Sequence, residues 1–348
     1  MTGPSGTDRL TVLIGSPLEL ELAERIAAAA PDRVRVVYAP DLLPVPRYAA
    51  DHHGTPRDLG PGDIARWRGH LGEADILFDF DWFEPERMPA NAPRLRWVQA
   101  TSAGIGEYLI RTGLADSAIM FTTAAGTHAI PLAEHVALGL LYLAKRVPEL
   151  RAWQADHRWE RFTTNRLAGQ RMLLVGLGNV GRQVARTCAS LGVEVWATDP
   201  GAASPPEGVT RLVDRAGMHA ALGEVDAVVL ACPYTPETHH LFGAPEFAAI
   251  RRGAVIVNIS RGAVIDEPTM IAALRNEQLG GAVLDVFETE PLPTENPLWD
   301  MPNVLVSPHS SSTVVAENGL IVDLFLDNLR RYLAGEPLRN VFDRTRGF

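Results

Sequence analysis

Cysteine is scarce in this chain: Cys188 and Cys232 are the only two in 348 residues, and each sits inside an apolar stretch. Two such thiols exclude a disulfide framework and a cysteine-based metal site, and they fit a reducing compartment. Blocks of Lys and Arg are missing, and the formal net charge is −10, so nucleic acid and anionic membranes are poor partners. Long apolar runs are missing too. The longest, 136–144, is far too short to span a bilayer. The opening MTGPSGTDRLTVLIG has no basic region followed by an apolar run, so no signal peptide is expected. The expectation is a cytoplasmic protein with neither a membrane nor a nucleic-acid partner.

What is present describes an ordinary globular protein, with 46% hydrophobic and 21% charged residues. At 348 residues the chain exceeds one comfortable core, which favours two domains. In the first 125 residues, strand-like runs at 11–15, 33–39, 75–80, 95–100 and 119–123 alternate with helical patterns at 18–30, 63–71 and 106–112. Such alternation predicts a small open parallel sheet covered by helices. A Pro-rich loop, 44–61, interrupts it with Arg47, Tyr48, His52 and His53 and is either a substrate cover or solvated surface. Its paired histidines lack an apparent third ligand, so no metal is assigned. Next, GTHAIPLAEHVALGLLYLAKR reads as a helix capped by Thr127 and apolar nearly all round, hence buried at an interface.

A second alternation begins at Arg171. Strands are read at 172–175, 194–198, 226–231, 254–259, 282–286 and 303–307, and helices at 179–191, 245–250 and 267–278. A last helix, 317–333, carries Leu320, Leu324 and Leu329 on one face. Between the first strand and helix of this block lies Gly176-Leu177-Gly178-Asn179-Val180-Gly181. G-x-G-x-x-G alone is weak evidence. Opening a helix after a strand, however, it lets backbone N–H groups approach a pyrophosphate where the helix dipole is positive. The next strand ends at Asp199, a carboxylate suited to ribose hydroxyls and hostile to a 2′-phosphate. No Arg or Lys stands between Arg186 and Arg211 to hold such a phosphate, so NAD is expected over NADP.

Ligands of open parallel sheets bind beyond the carboxyl ends of the strands. After three late strands come Arg261, Glu290 and His309. Arg261 offers a planar fork for a carboxylate. His309 can hand a proton to a carbonyl oxygen as hydride reaches its carbon. Glu290 on the other imidazole nitrogen would fix the ring and favour its protonated form. Singly each is an ordinary surface residue; together on one rim they suit 2-oxo acid reduction.

The chain resembles the D-isomer-specific 2-hydroxyacid dehydrogenases along nearly its whole length, in SAGIGEYL (102–109), HAIPLAEHVALGLL (128–141), GLGNVG (176–181), CPYTPETHHLF (232–242), NISRGAVID (258–266), LDVFETEPLP (284–293) and VSPH (306–309). The resemblance implies that Arg261 binds substrate, Glu290 supports the histidine and His309 is the acid/base. It also implies that Ser102, Ala103 and Gly104 hold the substrate carboxylate through backbone N–H groups. The cofactor would be lined by Gly176, Gly178, Asn179, Val180, Gly181, Asp199, Cys232, Pro233, Ile259, Ser260, Arg261, Asp285 and His309.

The implied fold class is α/β with two Rossmann-like domains: a doubly wound parallel-sheet NAD domain (127–314) inserted into a smaller flavodoxin-like substrate domain (1–126 plus 315–348). A homodimer acting on a small 2-oxo or 2-hydroxy acid is the expected assembly. Two departures stand out. Ser310-Ser311-Ser312-Thr313 follows His309 where the family often has an apolar residue and then Gly or Ala, and DFDWFE (79–84) places acids where a phosphoglycerate dehydrogenase would want a cation. A phosphorylated substrate is therefore disfavoured. Two alternatives remain. One is a non-catalytic NAD(H)-sensing protein, similar to corepressors of this fold, which retention of the three polar residues argues against. The other is a formate dehydrogenase, which would carry Gln in place of Glu290.

Overall fold

Both alternating blocks fold into parallel sheets in the computed structural model, which describes residues 9–345 and 347. Residues 1–8, where no signal peptide is expected, and positions 346 and 348, at the end of the expected substrate domain, lie outside the described residues. The chain divides into two units, Met1–Thr127 with Thr313–Phe348, and His128–Ser312.

The first unit runs β1 (Leu10–Ile14), α1 (Leu20–Ala28), β2 (Val34–Val37), α2 (Pro61–Glu73), β3 (Ile76–Phe78), α3 (Met88–Asn91), β4 (Trp97–Gln99), α4 (Gly106–Arg111) and β5 (Met120–Thr122). Its strands are all parallel in the order β2-β1-β3-β4-β5. This is the flavodoxin-like order, with its switch point between β1 and β3. Side chains alternate across the sheet. Leu13, Leu77 and Val98 pack with Trp67 and Leu71 of α2 and Leu109 of α4, while Val12, Ile14, Ile76 and Trp97 meet Ile26 of α1 on the other face.

The second unit opens with α5 (Ala129–Ala144) and α6 (Val147–Ala155). Then come β6 (Arg171–Val175), α7 (Asn179–Ser190), β7 (Glu194–Thr198), β8 (Arg211–Leu212), α8 (Met218–Leu222), β9 (Ala227–Leu230), α9 (Ala244–Ala249), β10 (Ala254–Asn258), α10 (Glu267–Arg275), β11 (Leu279–Leu284) and β12 (Val304–Val306). The order β12-β11-β10-β9-β6-β7-β8 is that of a doubly wound sheet, reversing direction between β6 and β9. Met172 and Leu174 face α5 and α7, and Leu173 and Val175 face α8, α9 and α10, so the sheet is covered on both sides. The α/β class and the two Rossmann-like sheets expected from the sequence are what the structure has.

The chain returns to the first unit as α11 (Glu317–Ala334), ended by Gly335 in the left-handed region at φ +72°. Three details of the expectation need correction. The buried face of α11 is Ile321, Val322, Phe325, Asn328 and Leu329, whereas Leu320 is 41% exposed. Aromatic stacking decides the rotation, because Phe325 packs against both Phe78 and Trp97. Thr127 does not cap α5: its hydroxyl donates to the Ala124 carbonyl and the N-cap is His128. The helix expected over 179–191 ends at Ser190: Leu191 lies just past it and is exposed, and Val184, Ala185 and Cys188 are buried on its inner face.

Candidate active site

The glycine turn is shaped by close approach. Gly176 has φ +100°, and a Cβ there would lie 2.8 Å from the Ala231 carbonyl oxygen and 2.9 Å from the Cys232 Cα. A Cβ on Gly181 would lie 2.0 Å from the Gly176 oxygen, so only glycine lets α7 start flush on the turn. Gly178 is different: a Cβ there would meet nothing within 4 Å. Its openness leaves room for an anion at the N-terminus of α7, where Asn179 and Val180 begin the helix and no side chain caps it. Asp199, one residue past β7, accepts from Leu177 N–H and Gly201 N–H, both at 2.7 Å, which sets the ribose-type carboxylate beside the turn. The residues present fit a dinucleotide. Cys232 and Pro233 follow β9 on the same edge, and burial pushes the Cys232 thiol up to about 11, so it stays protonated.

Strand β10 ends in Asn258, buried among apolar neighbours. Its Oδ1 accepts from Ser260 N–H (3.0 Å) and Ser260 O–H (2.8 Å), and its Nδ2 donates to the Arg261 carbonyl (3.0 Å). This amide locks the turn that presents Arg261, while Ile259 N–H continues the ladder to Leu230. The Arg261 guanidinium uses one Nη1–H on the Ser260 carbonyl at 2.7 Å. Next to it Gly262 makes a contact only glycine tolerates, since a Cβ would stand 1.9 Å from the Phe287 carbonyl carbon. The loops after β10 and β11 therefore run against each other. That contact carries Glu290 towards Arg261.

Glu290 is held twice, by Phe287 N–H on Oε1 (3.0 Å) and by His309 Nδ1 on Oε2 (2.8 Å). Burial pushes its pKa up. The His309 hydrogen bond, the Phe287 N–H and the charges of His309 and Arg261 together outweigh burial and hold it below the ordinary glutamate value. With Nδ1 engaged, Nε2 is the nitrogen left to meet a substrate. His309 adopts φ +52°, uncommon for a residue with a side chain, and its N–H donates to the Asp285 carbonyl at 2.9 Å.

The second unit thus brings Arg261, Glu290 and His309 together beyond β10, β11 and β12, on the strand ends that carry the glycine turn and Asp199. Ser102, Ala103 and Gly104 belong to the first unit, where they form an exposed turn before α4, with the Ser102 carbonyl taking Ala124 N–H. The 44–61 loop, also in the first unit, folds back on itself through a Val45–Thr55 bridge. Buried Asp51 ties it by accepting from Arg47 and Gly54. His52 Nε2 meets Asn318 Oδ1 at 2.7 Å, and no group of three or more His, Cys, Asp or Glu side chains among the described residues could hold a metal. Sequence reasoning gave no role to Asn258, Gly262 and Ser307, and noted Ser311 only as part of the serine run after His309. Two signals were available: an Asn closing an apolar strand and a Gly beside the candidate arginine.

The family model described as D-isomer specific 2-hydroxyacid dehydrogenase, NAD binding domain, matches residues 137–311. The (S)-sulfolactate dehydrogenase of Chromohalobacter salexigens is 32% identical over 251 residues, covering 70% of this chain and 79% of that one. A D-isomer specific 2-hydroxyacid dehydrogenase family protein from Aeromonas salmonicida subsp. salmonicida superposes with a TM-score of 0.80 at 28% identity, over 97% of this chain and 100% of that one. A D-isomer specific 2-hydroxyacid dehydrogenase from Xanthobacter autotrophicus, solved with NADPH and MES, superposes with a TM-score of 0.77 at 29% identity, over 98% and 100%. The chain spans less than half the length of the D-3-phosphoglycerate dehydrogenases it matches. The protein belongs to the D-isomer specific 2-hydroxyacid dehydrogenases, with an NAD-binding domain in its second unit.

Proposed function

We propose that the protein is an NAD-dependent oxidoreductase that interconverts a small, unphosphorylated 2-oxo acid and its D-2-hydroxy acid. The observation that carries this is the 2.8 Å His309–Glu290 pair with the Arg261 charge beside it. When bound, the dinucleotide supplies the hydride for the carbonyl carbon, or takes it back in the reverse direction. His309 gives a proton from Nε2 to the carbonyl oxygen in reduction and removes it in oxidation. Glu290 accepts at Nδ1 and so keeps the ring turned towards the substrate. Arg261 offers its remaining N–H groups to the substrate carboxylate and the oxygen next to it. The matching role for Ser102, Ala103 and Gly104 rests on their motif alone.

Asp199 at the glycine turn, with no cation between Arg186 and Arg211, favours NAD over NADP. A homodimer is assigned from the apolar side chains that α5 leaves exposed, Ile130 and Leu138. A reducing, cytoplasmic setting is assigned from the two buried free thiols.

The test is turnover of NADH and of NADPH against a panel of 2-oxo acids. NADH-linked reduction of at least one unphosphorylated acid is expected, and His309→Ala should lower kcat by about 10² to 10⁴ while keeping the Kd for NADH. Near-normal turnover in that variant removes the proton role from His309. Silence across the panel with tight NADH binding points instead to a non-catalytic sensor.

A further inference from the structure

We propose that Ser307 and Ser311 are positioning residues for His309, acting through the Asp285 carboxylate; this rests on His309 being the group that moves the proton. Asp285 follows β11 directly and is only 2% exposed. A buried carboxylate needs donors around it. Here they come from one short segment: Ser307 O–H (2.7 Å), Ser310 N–H (3.1 Å) and Ser311 N–H (3.0 Å) reach Oδ1, and Ser311 O–H (2.5 Å) reaches Oδ2. The Asp285 carbonyl takes a fifth hydrogen bond, from His309 N–H at 2.9 Å. Three consecutive N–H groups, of residues 309, 310 and 311, thus converge on one aspartate.

This wrapping explains how His309 keeps φ +52°. A left-handed turn at a residue with a Cβ persists only where its surroundings over-determine it. The main-chain donors alone leave the carboxylate free to swing about its terminal torsion, and all of them on the carboxylate act at Oδ1. The Ser311 hydroxyl fixes Oδ2, and the Ser307 hydroxyl fixes Oδ1 from the strand side. With both in place the carboxylate cannot turn, the N–H groups of 310 and 311 stay anchored, and the imidazole stays on Glu290.

The experiment compares the full-length wild type with Ser311→Ala, Ser311→Gly, Ser311→Thr and the double variant S307A/S311A. It uses NADH and the most active 2-oxo acid of the panel, with His309→Ala as reference. A second readout needs no turnover: the downfield proton resonance of the His309 Nδ1–H, assigned by its loss in His309→Ala. Expected are a kcat reduced tenfold or more in Ser311→Ala and Ser311→Gly, a further loss in the double variant, and an NADH Kd within twofold. The Nδ1–H resonance should broaden in both single variants, and Ser311→Thr, which keeps the hydroxyl, should recover both properties. A kcat within twofold of wild type with a sharp resonance overturns the proposal, as does a loss explained wholly by weaker NADH binding or one that Thr does not rescue. If His309→Ala itself stays active, the failure belongs to the assignment of the proton donor and not to the serines.

Discussion

Glu290 is the carboxylate paired with His309, and its environment gives a pH-dependent prediction. Its folded pKa is depressed, so the stability contributed by the ionised group is fully present above the unfolded value of about 4.3. That contribution disappears as pH falls through the lower folded value. Glu290→Gln should therefore lower Tm at neutral pH, and the difference from wild type should vanish in acid, measured by thermal denaturation across pH 3–8. A Tm difference that does not change with pH would show that the carboxylate charge is irrelevant to the pair. The same variant should lose roughly tenfold or more in kcat, less than His309→Ala, because Gln can still accept from Nδ1. At this scale the gathering of Arg261, Glu290 and His309 was legible because they follow three strands of one parallel sheet, by three, six and three residues, and such a sheet collects these loops on one rim. Gly262 and Asn258 were not, since their importance lies in contacts with segments remote in sequence or in an amide's choice of partners.

Helix α5 shows what the next scale up adds. Its run of apolar residues was plain in the sequence, but the reason for Gly139 was not. A Cβ there would stand 2.5 Å from the Val283 Cγ1 of β11, so the missing side chain sets how closely the helix lies on the sheet. Gly139→Leu should cost about 1–3 kcal/mol by overpacking, read as a lower Tm; an unchanged Tm would mean that the helix can lift without penalty. Legibility fails in predictable places. Helix α6 has no fully buried residue and so no stripe to read, and β8 is two residues long, too short for any period. The misjudged face of α11 has another cause, because leucine spacing was counted while the burial of Phe325 and Asn328 decided the rotation.

For the whole molecule the sheet orders are the firmest result, because chain alternation, parallel pairing and a single reversal in each sheet leave few other solutions. The molecule also has apolar surface unaccounted for within one chain: Ile130, Leu138 and Leu150 are 59%, 56% and 44% exposed, and Trp159 is 96% exposed. Side chains of this kind on α5, α6 and the segment after them are the ones the proposed homodimer would cover. Light scattering should give twice the 37.8 kDa chain mass, and Trp159→Glu with Leu138→Glu should shift it towards the single chain. A monomeric wild type at micromolar concentration would reject the dimer.

The first unit is assembled from both ends of the polypeptide, whereas the second is one uninterrupted stretch. On a ribosome, the helix that completes the first sheet's apolar face emerges after every strand of both sheets, with Phe78 and Trp97 lacking Phe325 until then. A nonsense codon between Thr313 and Phe325 would therefore leave the first sheet, already made, without its cover and spare the second unit.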